Sequence, residues 1–107
     1  MKPTLYMMRG GDREARTKQA RDICKRVDAV RISREDLRDM LWGGGPAMSM
    51  EYIVKYAANI MSQELLHKGT SVVIDDANDD RRNEVIWHAL ASLEGAAFEV
   101  VEVGDDA

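Results

Sequence analysis

Features that define whole classes of protein are scarce or missing in this sequence of 107 residues. A single cysteine, Cys24, excludes an internal disulfide bond and cannot build a zinc site alone. No apolar run approaches the roughly 18–20 residues that span a bilayer, and the N-terminal segment lacks the apolar stretch and cleavage site of a signal peptide. Internal repeats and low-complexity segments are also missing. We therefore expect one small cytoplasmic domain, residues 1–107, with no membrane partner and no metal site.

The composition is that of a globular protein, but the charge is unevenly spread. Apolar residues make up 45% of the chain, which is enough to build a packed core. Residues 1–42 contain 11 basic and 7 acidic residues, whereas residues 43–107 contain 4 and 12. A basic half can bind nucleic acid locally even when the net charge is −4. The simpler alternative is that these Lys and Arg residues only solvate helix surfaces.

Short apolar runs alternate with longer segments of helical periodicity along the whole chain. Strands are predicted at 3–8, 29–32, 71–74 and 97–103, and helices at 13–26, 34–42, 50–67 and from a cap at Asp79 or Asp80 to a stop at Gly95. This β-α-β-α-α-β-α-β order predicts an α/β fold with a parallel four-stranded sheet flanked by helices.

Polar residues and glycines mark the ends of the predicted helices. Asp12 is the predicted N-cap of the first helix, with Glu14 in its first turn. Ser33 opens a variant capping box that is completed by Asp36. Glycines 43–45 and Pro46 predict a loop between the second and third helices.

The carboxyl ends of parallel strands are where ligands bind in open α/β sheets. In this chain that rule selects three segments: residues 9–12, 33–38 and 75–78. We therefore expect any functional site to lie where these segments meet.

These segments and their flanking strands resemble the P-loop kinases of the phage polynucleotide 5′-kinase type. The resemblance covers nearly the whole chain and is carried by KPTLYMMRG, RISREDLRDML, LLHKGTSVVIDDAND and RRNEVIWHALASLEGAAFEVVEV. It implies a parallel sheet of the P-loop kinase type and a phage-encoded protein in the host cytoplasm. It also implies an ancestral activity that transfers phosphate from ATP with Mg²⁺ to a polynucleotide end.

The resemblance also implies a set of site residues. Glu35 stands where the family has the aspartate general base, and Arg38 stands where the family holds the acceptor phosphate. The residues expected to bind phosphate or nucleic acid are Arg9, Arg13, Arg34, Arg38, Asp76 and Asn78. Each also has a purely structural interpretation: Glu35 stabilises a helix dipole, Arg38 pairs with an acid one turn away such as Glu35, and Asp76 and Asn78 form a turn.

The first segment departs from the family's phosphate-binding loop, G-x-x-x-x-G-K-[ST]. The chain has Gly10-Gly11-Asp12-Arg13-Glu14 there, and no Gly-Lys-Ser/Thr occurs anywhere. We interpret the loop as shortened by several residues, with Thr17-Lys18 too far along the helix and in reversed order. Carboxylates at Asp12 and Glu14 would repel a triphosphate from the helix N-terminus, where anions normally bind.

Two further departures concern the base and the lid. Glu35 is one methylene longer than aspartate, and misplacement of about 1 Å can cost ~100-fold in rate. The family's basic lid has no counterpart in the acidic segment 104–107. We therefore expect a catalytically degenerate protein that needs no cofactor and binds ATP and Mg²⁺ only if the phosphate site functions.

Several functions remain open for such a protein. The first is a binding or regulatory module for a nucleic-acid end or a protein partner, with homo-oligomerisation through an exposed apolar face. The alternative is an active nucleotide or polynucleotide kinase, or a nucleotide hydrolase that uses Glu35 and Asp76. Tyr52 and Tyr56 are expected to pack, although they could stack on bases. The methionines are expected to fill the core, although Met48 and Met50, beside the glycine loop, could line a partner interface.

Overall fold

Four short strands, all parallel, form the centre of the molecule. The computed structural model describes residues 2–45, 47 and 49–104. The strands are β1 (Thr4–Arg9), β2 (Val30–Ile32), β3 (Val72–Ile74) and β4 (Ala97–Glu102), in the order β2-β3-β1-β4. Leu5 pairs with Val72 on one side of β1, and Met8 pairs with Val101 on the other. The prediction of a parallel four-stranded sheet is confirmed, and β3 lies in its interior.

Helices connect the strands in the predicted order. They are α1 (Arg13–Val27), α2 (Arg34–Trp42), α3 (Glu51–His67) and α4 (Arg81–Leu93). The predicted bounds of α2 are confirmed, and those of the other helices differ by a residue or so. None of the helices in the described part of the chain is long and apolar enough to cross a membrane.

The predicted helix caps are present. The Asp12 carboxylate accepts a hydrogen bond from the Ala15 amide at 2.8 Å, and the Ser33 hydroxyl accepts one from the Asp36 amide at 3.1 Å. Asp80, rather than Asp79, caps α4. These side chains satisfy amide groups that the first turn of a helix leaves without partners.

The core has two layers, one on each face of the sheet. Helix α1 covers one face, where Met8 and Val73 pack with Ala20 and Ile23. Helices α3 and α4 cover the other face, where the cluster consists of Leu5, Met7, Ile32, Ala58, Leu66, Val72, Ile74, Trp87, Ala91 and Ala96. Burying one such aliphatic side chain stabilises a fold by roughly 1.5–3 kcal/mol. Burial on both faces therefore explains the unbroken apolar sequence of β3.

Two expectations fall on residues outside the described part of the chain. Met48, which could line a partner interface, is one of them. The acidic residues Asp105 and Asp106, on which the missing lid was argued, are the others. Both expectations therefore stay predictions.

Candidate functional site

The three segments selected from the sequence meet at the carboxyl edge of the sheet. The Asn78 amide donates to the Met8 carbonyl at 2.7 Å, and the Gly10 amide donates to the Ala77 carbonyl at 2.9 Å. The Asp75 amide donates to the Ile32 carbonyl at 2.8 Å. These bonds hold the ends of β1, β2 and β3 together, so the predicted meeting of the three segments is confirmed.

The connection between β1 and α1 is a tight turn of three residues, Gly10 to Asp12. Gly10 and Gly11 have φ angles of +78° and +69°, which residues with a side chain rarely adopt. Their carbonyl oxygens accept hydrogen bonds from Arg16 Nη1 at 3.3 and 3.1 Å. A phosphate-binding loop instead turns its amide groups inward. This turn therefore holds an internal cation where such a loop would hold an anion.

Sequence reasoning missed Arg31 and Asp75, which are described below, and also Arg16 and Thr17. The latter two lie six and seven residues after Gly10, the spacing of the Lys and Ser/Thr in G-x-x-x-x-G-K-[ST], with Ala15 in place of the second glycine. The sequence does carry a signal for Arg16 and Thr17, which is their distance from Gly10, although no intact Gly-Lys pair is present. The interpretation that the loop has lost several residues, with Thr17 too far along the helix, is therefore wrong. The number of residues is kept, and the irregular part is short because the helix begins at Arg13.

Asp75 is the buried centre of the site. Its carboxylate, 0% exposed, accepts hydrogen bonds from Thr17 Oγ1 and Arg31 Nε, both at 2.7 Å. Arg16, only 2% exposed, places its Nε 3.4 Å from the other carboxylate oxygen. Burial lowers the pKa of Arg31, but its hydrogen bonds to Asp36 and Asp75 outweigh burial, and the pKa is raised. Two guanidinium groups therefore compensate one buried carboxylate.

This arrangement does not fit a magnesium ion. A P-loop Ser/Thr and a strand-end Asp are the side chains that hold Mg²⁺ in P-loop proteins, and Thr17 and Asp75 have those chemical identities. Here the Asp75 oxygens already face Arg16 and Arg31. A divalent cation would meet two positive charges in a buried setting, where like-charge repulsion is strong.

Glu35, the residue expected as a general base, lies in the same cluster. Its carboxylate accepts a hydrogen bond from Arg16 Nη2 at 2.6 Å. Arg13 lies 3.9 Å from the same oxygen and forms shorter ion pairs with Asp36 and Asp39, at 2.8 and 2.7 Å. The hydrogen bonds to Asp36 and Asp39 raise the pKa of Arg13. The Glu35 carboxylate is thus already paired with the Arg16 guanidinium.

Arg38 lies in the expected region but has a different partner. It was expected near Asp76 and Glu35, yet its guanidinium hydrogen-bonds the Glu51 carboxylate at the start of α3. The interpretation that Arg38 pairs with Glu35 is wrong, because Glu51 approaches more closely from the neighbouring helix. The Arg38 hydrogen bond lowers the pKa of Glu51, and the Glu51 hydrogen bond raises that of Arg38. A cleft of about 220 Å³ still brings Arg38 and Glu35 together.

Asp76 and Asn78 hold Arg34 and the start of α2. The Asp76 carboxylate accepts hydrogen bonds from the Arg34 and Glu35 amides at 3.0 and 3.2 Å and from Arg34 Nε at 3.0 Å. The Asn78 side-chain oxygen accepts from Arg34 Nη2 at 2.9 Å. Asn78 has a φ angle of +50°, in agreement with the predicted turn.

The remaining predicted residue, Arg9, extends the same pattern. Its guanidinium hydrogen-bonds the carboxylates of Glu84 and Glu102, and the bond to Glu84 raises the pKa of Arg9. All four arginines expected to bind phosphate therefore have carboxylate partners within the protein. A phosphate group that binds any of them must compete with that carboxylate or share the guanidinium with it.

Comparison of the fold with solved structures finds several similar chains. A chain in the Pnkp1/Rnl/Hen1 complex superposes with a TM-score of 0.84 and 22% identity, over 95% of this chain and 35% of that one. A putative kinase from Chloroflexus aurantiacus gives 0.75 and 9%, over 96% and 59%. The APS kinase CysC of Mycobacterium tuberculosis, in complex with AMPPNP and APS, gives 0.72 and 12%, over 94% and 62%.

These similarities establish the fold. The chain has a P-loop kinase-like α/β fold and spans about a third of the length of the first structure. No protein-family model matches the sequence. A search of curated proteins also finds no match.

Proposed function

We propose that this chain is a catalytically degenerate polynucleotide kinase-like protein, encoded by a phage, that acts as a binding or regulatory module. The observation that carries the proposal is the pair of guanidinium groups, from Arg16 and Arg31, that faces the buried Asp75 carboxylate. They lie where a working kinase needs Mg²⁺ and the nucleotide phosphates. No cofactor is needed for the function we propose.

The cost of removing these arginines explains why ATP would bind weakly. Separating a buried ion pair costs about 3–5 kcal/mol, and each 1.4 kcal/mol is about a tenfold change in affinity. A site that had to break the contacts of Asp75 would therefore bind ATP roughly a hundred- to several-thousand-fold more weakly than a preformed loop. We expect a dissociation constant no tighter than millimolar.

Two kinds of partner are consistent with a binding role. A nucleic-acid end could reach the cleft beside Arg38, where its phosphate would compete with Glu51 for the guanidinium. A protein partner is supported by the similar fold found in the Pnkp1/Rnl/Hen1 complex, an assembly of several proteins. Met40 and Leu93, each 72% exposed, offer apolar surface for a protein or for self-association.

A transfer assay and a binding assay together test the proposal. With labelled ATP, Mg²⁺ and a 5′-hydroxyl oligonucleotide, phosphate transfer should equal the buffer control. The same oligonucleotide, without ATP, should bind in a fluorescence anisotropy titration. Arg38→Ala should weaken that binding and lower its salt dependence by about one charge. Transfer above the control would overturn the degenerate assignment, and unchanged binding by R38A would exclude the Arg38 cleft.

The second candidate is an active kinase or nucleotide hydrolase, and it is favoured by one observation. Arg16 and Thr17 keep the motif spacing, and Thr17 keeps its hydroxyl beside Asp75. If Arg16 leaves Asp75 to bind phosphate, ATP hydrolysis should exceed the control, depend on Mg²⁺ and disappear in Thr17→Ala. We expect none of these results.

A further inference from the structure

A small cleft lies between α3 and α4, and Arg34 at the start of α2 connects it to the site described above. It has a volume of about 70 Å³ and is lined by Arg34, Lys55, Asn59, Asn83, Ile86 and Trp87. No carboxylate is among these lining residues in the described part of the chain. A molecule of water occupies ~30 Å³ in the liquid, so the cleft has room for one small oxyanion.

The cleft presents hydrogen-bond donors and positive charge. Arg34 is fixed by Asp76, and its guanidinium carbon lies 5.9 Å from the ring centre of Trp87. The Asn83 side-chain oxygen accepts from Arg34 Nη1 at 3.3 Å, which leaves the Asn83 NH₂ group for another acceptor. Lys55 is exposed and forms no ion pair with the residues that the structure describes. The Lys55 ammonium, the Asn83 amide and the Arg34 guanidinium, whose charge Asp76 balances, therefore converge on one small space.

Two exposed tyrosines lie close to Lys55 along α3. Tyr52 and Tyr56 are each 68% exposed, so the expectation that they pack in the core is wrong. They lie one turn apart, and Tyr52 precedes Lys55 by three residues, which places the tyrosines on the adjoining face of the helix. Exposed aromatic rings beside basic groups are a surface on which the bases of a single strand can stack.

We propose that the α3–α4 cleft and the two tyrosines form a binding surface for single-stranded nucleic acid. One backbone phosphate lies in the cleft against Lys55 and Arg34, and neighbouring bases stack on Tyr52 and Tyr56. This deepens the proposed binding function, on which it rests, but it uses a surface distinct from the Arg38 cleft. Arg34 lies between the two, since it contacts Asp76 on one side and Asn83 on the other.

Anisotropy titrations with labelled single-stranded DNA and RNA of about 12 nucleotides test this surface. Lys55→Gln should weaken binding and lower the salt slope by about one charge. Tyr52→Ala and Tyr56→Ala should each weaken binding about five- to hundred-fold, the range for a lost stacking contact. Lys18→Gln is the matched control, because Lys18 is an exposed basic residue on α1, across the sheet from α3. That variant should bind as the wild type does, and all variants should keep the wild-type melting temperature.

Three results would overturn the inference. One is wild-type affinity in the Lys55 and tyrosine variants. If Arg38→Ala nevertheless lost binding, the proposed function would stand while this surface would not. Another is a loss of affinity in Lys18→Gln as large as that in Lys55→Gln. This result would indicate that the nucleic acid is attracted by the overall surface charge and not by this cleft. The last is displacement of the labelled oligonucleotide by inorganic phosphate at the same concentration as by unlabelled oligonucleotide. The cleft would then be a site for free anions and not for a nucleic-acid backbone.

Discussion

Arginine side chains at the carboxyl edge of the sheet act as internal counter-ions. Arg16 and Arg31 meet at Asp75, and Arg16 reaches Glu35 and two backbone carbonyls as well. A planar guanidinium with five N–H donors can bridge several acceptors at once, which the point charge of a lysine cannot do as well. The replacement of the motif lysine by Arg16 therefore suits a closed structural cluster.

The first prediction concerns the Arg31–Asp75 pair. Arg31→Met should lower the free energy of unfolding by about 3 kcal/mol, because the Asp75 carboxylate loses its closest cation while it stays buried. Adding Asp75→Asn should recover part of that loss, since it removes the buried carboxylate that Arg31→Met leaves with only Arg16 as its cation. Urea unfolding of both single variants and the double variant measures the coupling. Strictly additive effects would show that the two side chains do not depend on each other.

A second prediction uses the pH dependence of the Arg38–Glu51 pair. The pKa of Glu51 is lowered by its hydrogen bond to Arg38, from an ordinary value of 4.5. Its contribution is therefore fully present above about pH 4.5 and is lost as the pH falls through the lower pKa of the folded state. Glu51→Gln should cost about 1–3 kcal/mol at pH 7.

The measurement is the melting temperature of wild type and Glu51→Gln between neutral and acidic pH. The difference between the two melting temperatures should disappear as Glu51 of the wild type becomes protonated. A difference in melting temperature that stays constant down to the pH at which both proteins unfold would show that Glu51 acts by packing and not by charge.

At the scale of secondary-structure elements, the joint between β1, α1 and the end of β4 depends on Gly11. A β-carbon at this position would lie 2.5 Å from Val103 Cγ1, and the φ angle is +69°. Val103 is itself tied to β1, because its amide donates to the Arg9 carbonyl at 2.9 Å. The tight turn therefore positions α1, and with it Arg16, against the strand ends.

A third prediction separates this close approach from backbone strain. Gly11→Ala should destabilise the fold by about 2–4 kcal/mol, from the clash with Val103 and the left-handed backbone together. Gly95→Ala is the matched control: its φ is +68° but nothing lies within 4 Å of the added carbon, so it should lose only about 1 kcal/mol. Chemical denaturation of both variants measures the difference. Equal losses would mean that the contact with Val103 is unimportant.

For the whole molecule, the fold was more predictable than the contacts of its site. The alternation of apolar runs with helical periodicity is local, so the order of elements and the sheet at 71–74 follow from sequence. Caps such as Asp12 and Ser33 are also local, and both were confirmed. Parallel strands then bring their carboxyl ends together, which located the site.

Ion pairing could not be predicted in the same way. Arg38 pairs with Glu51 of the next helix and not with Glu35, which lies one turn away on its own helix. This pairing depends on how α2 packs on α3. The contact of Arg16 with Asp75 depends in the same way on how α1 packs on the sheet. The exposure of Tyr52 and Tyr56 likewise depends on which face of α3 the sheet covers. Long-range packing decides these features, and a single sequence does not display it.

The most direct test of the central claim is a calorimetric titration of the wild-type protein with ATP in the presence of Mg²⁺. Because Arg16 and Arg31 hold Asp75 where a kinase holds its metal and phosphates, the account predicts no saturable heat in the micromolar range. Any binding should be no tighter than millimolar and should not depend on Mg²⁺. A micromolar dissociation constant that requires Mg²⁺ would contradict the account, since it would show that a functional phosphate site forms after all.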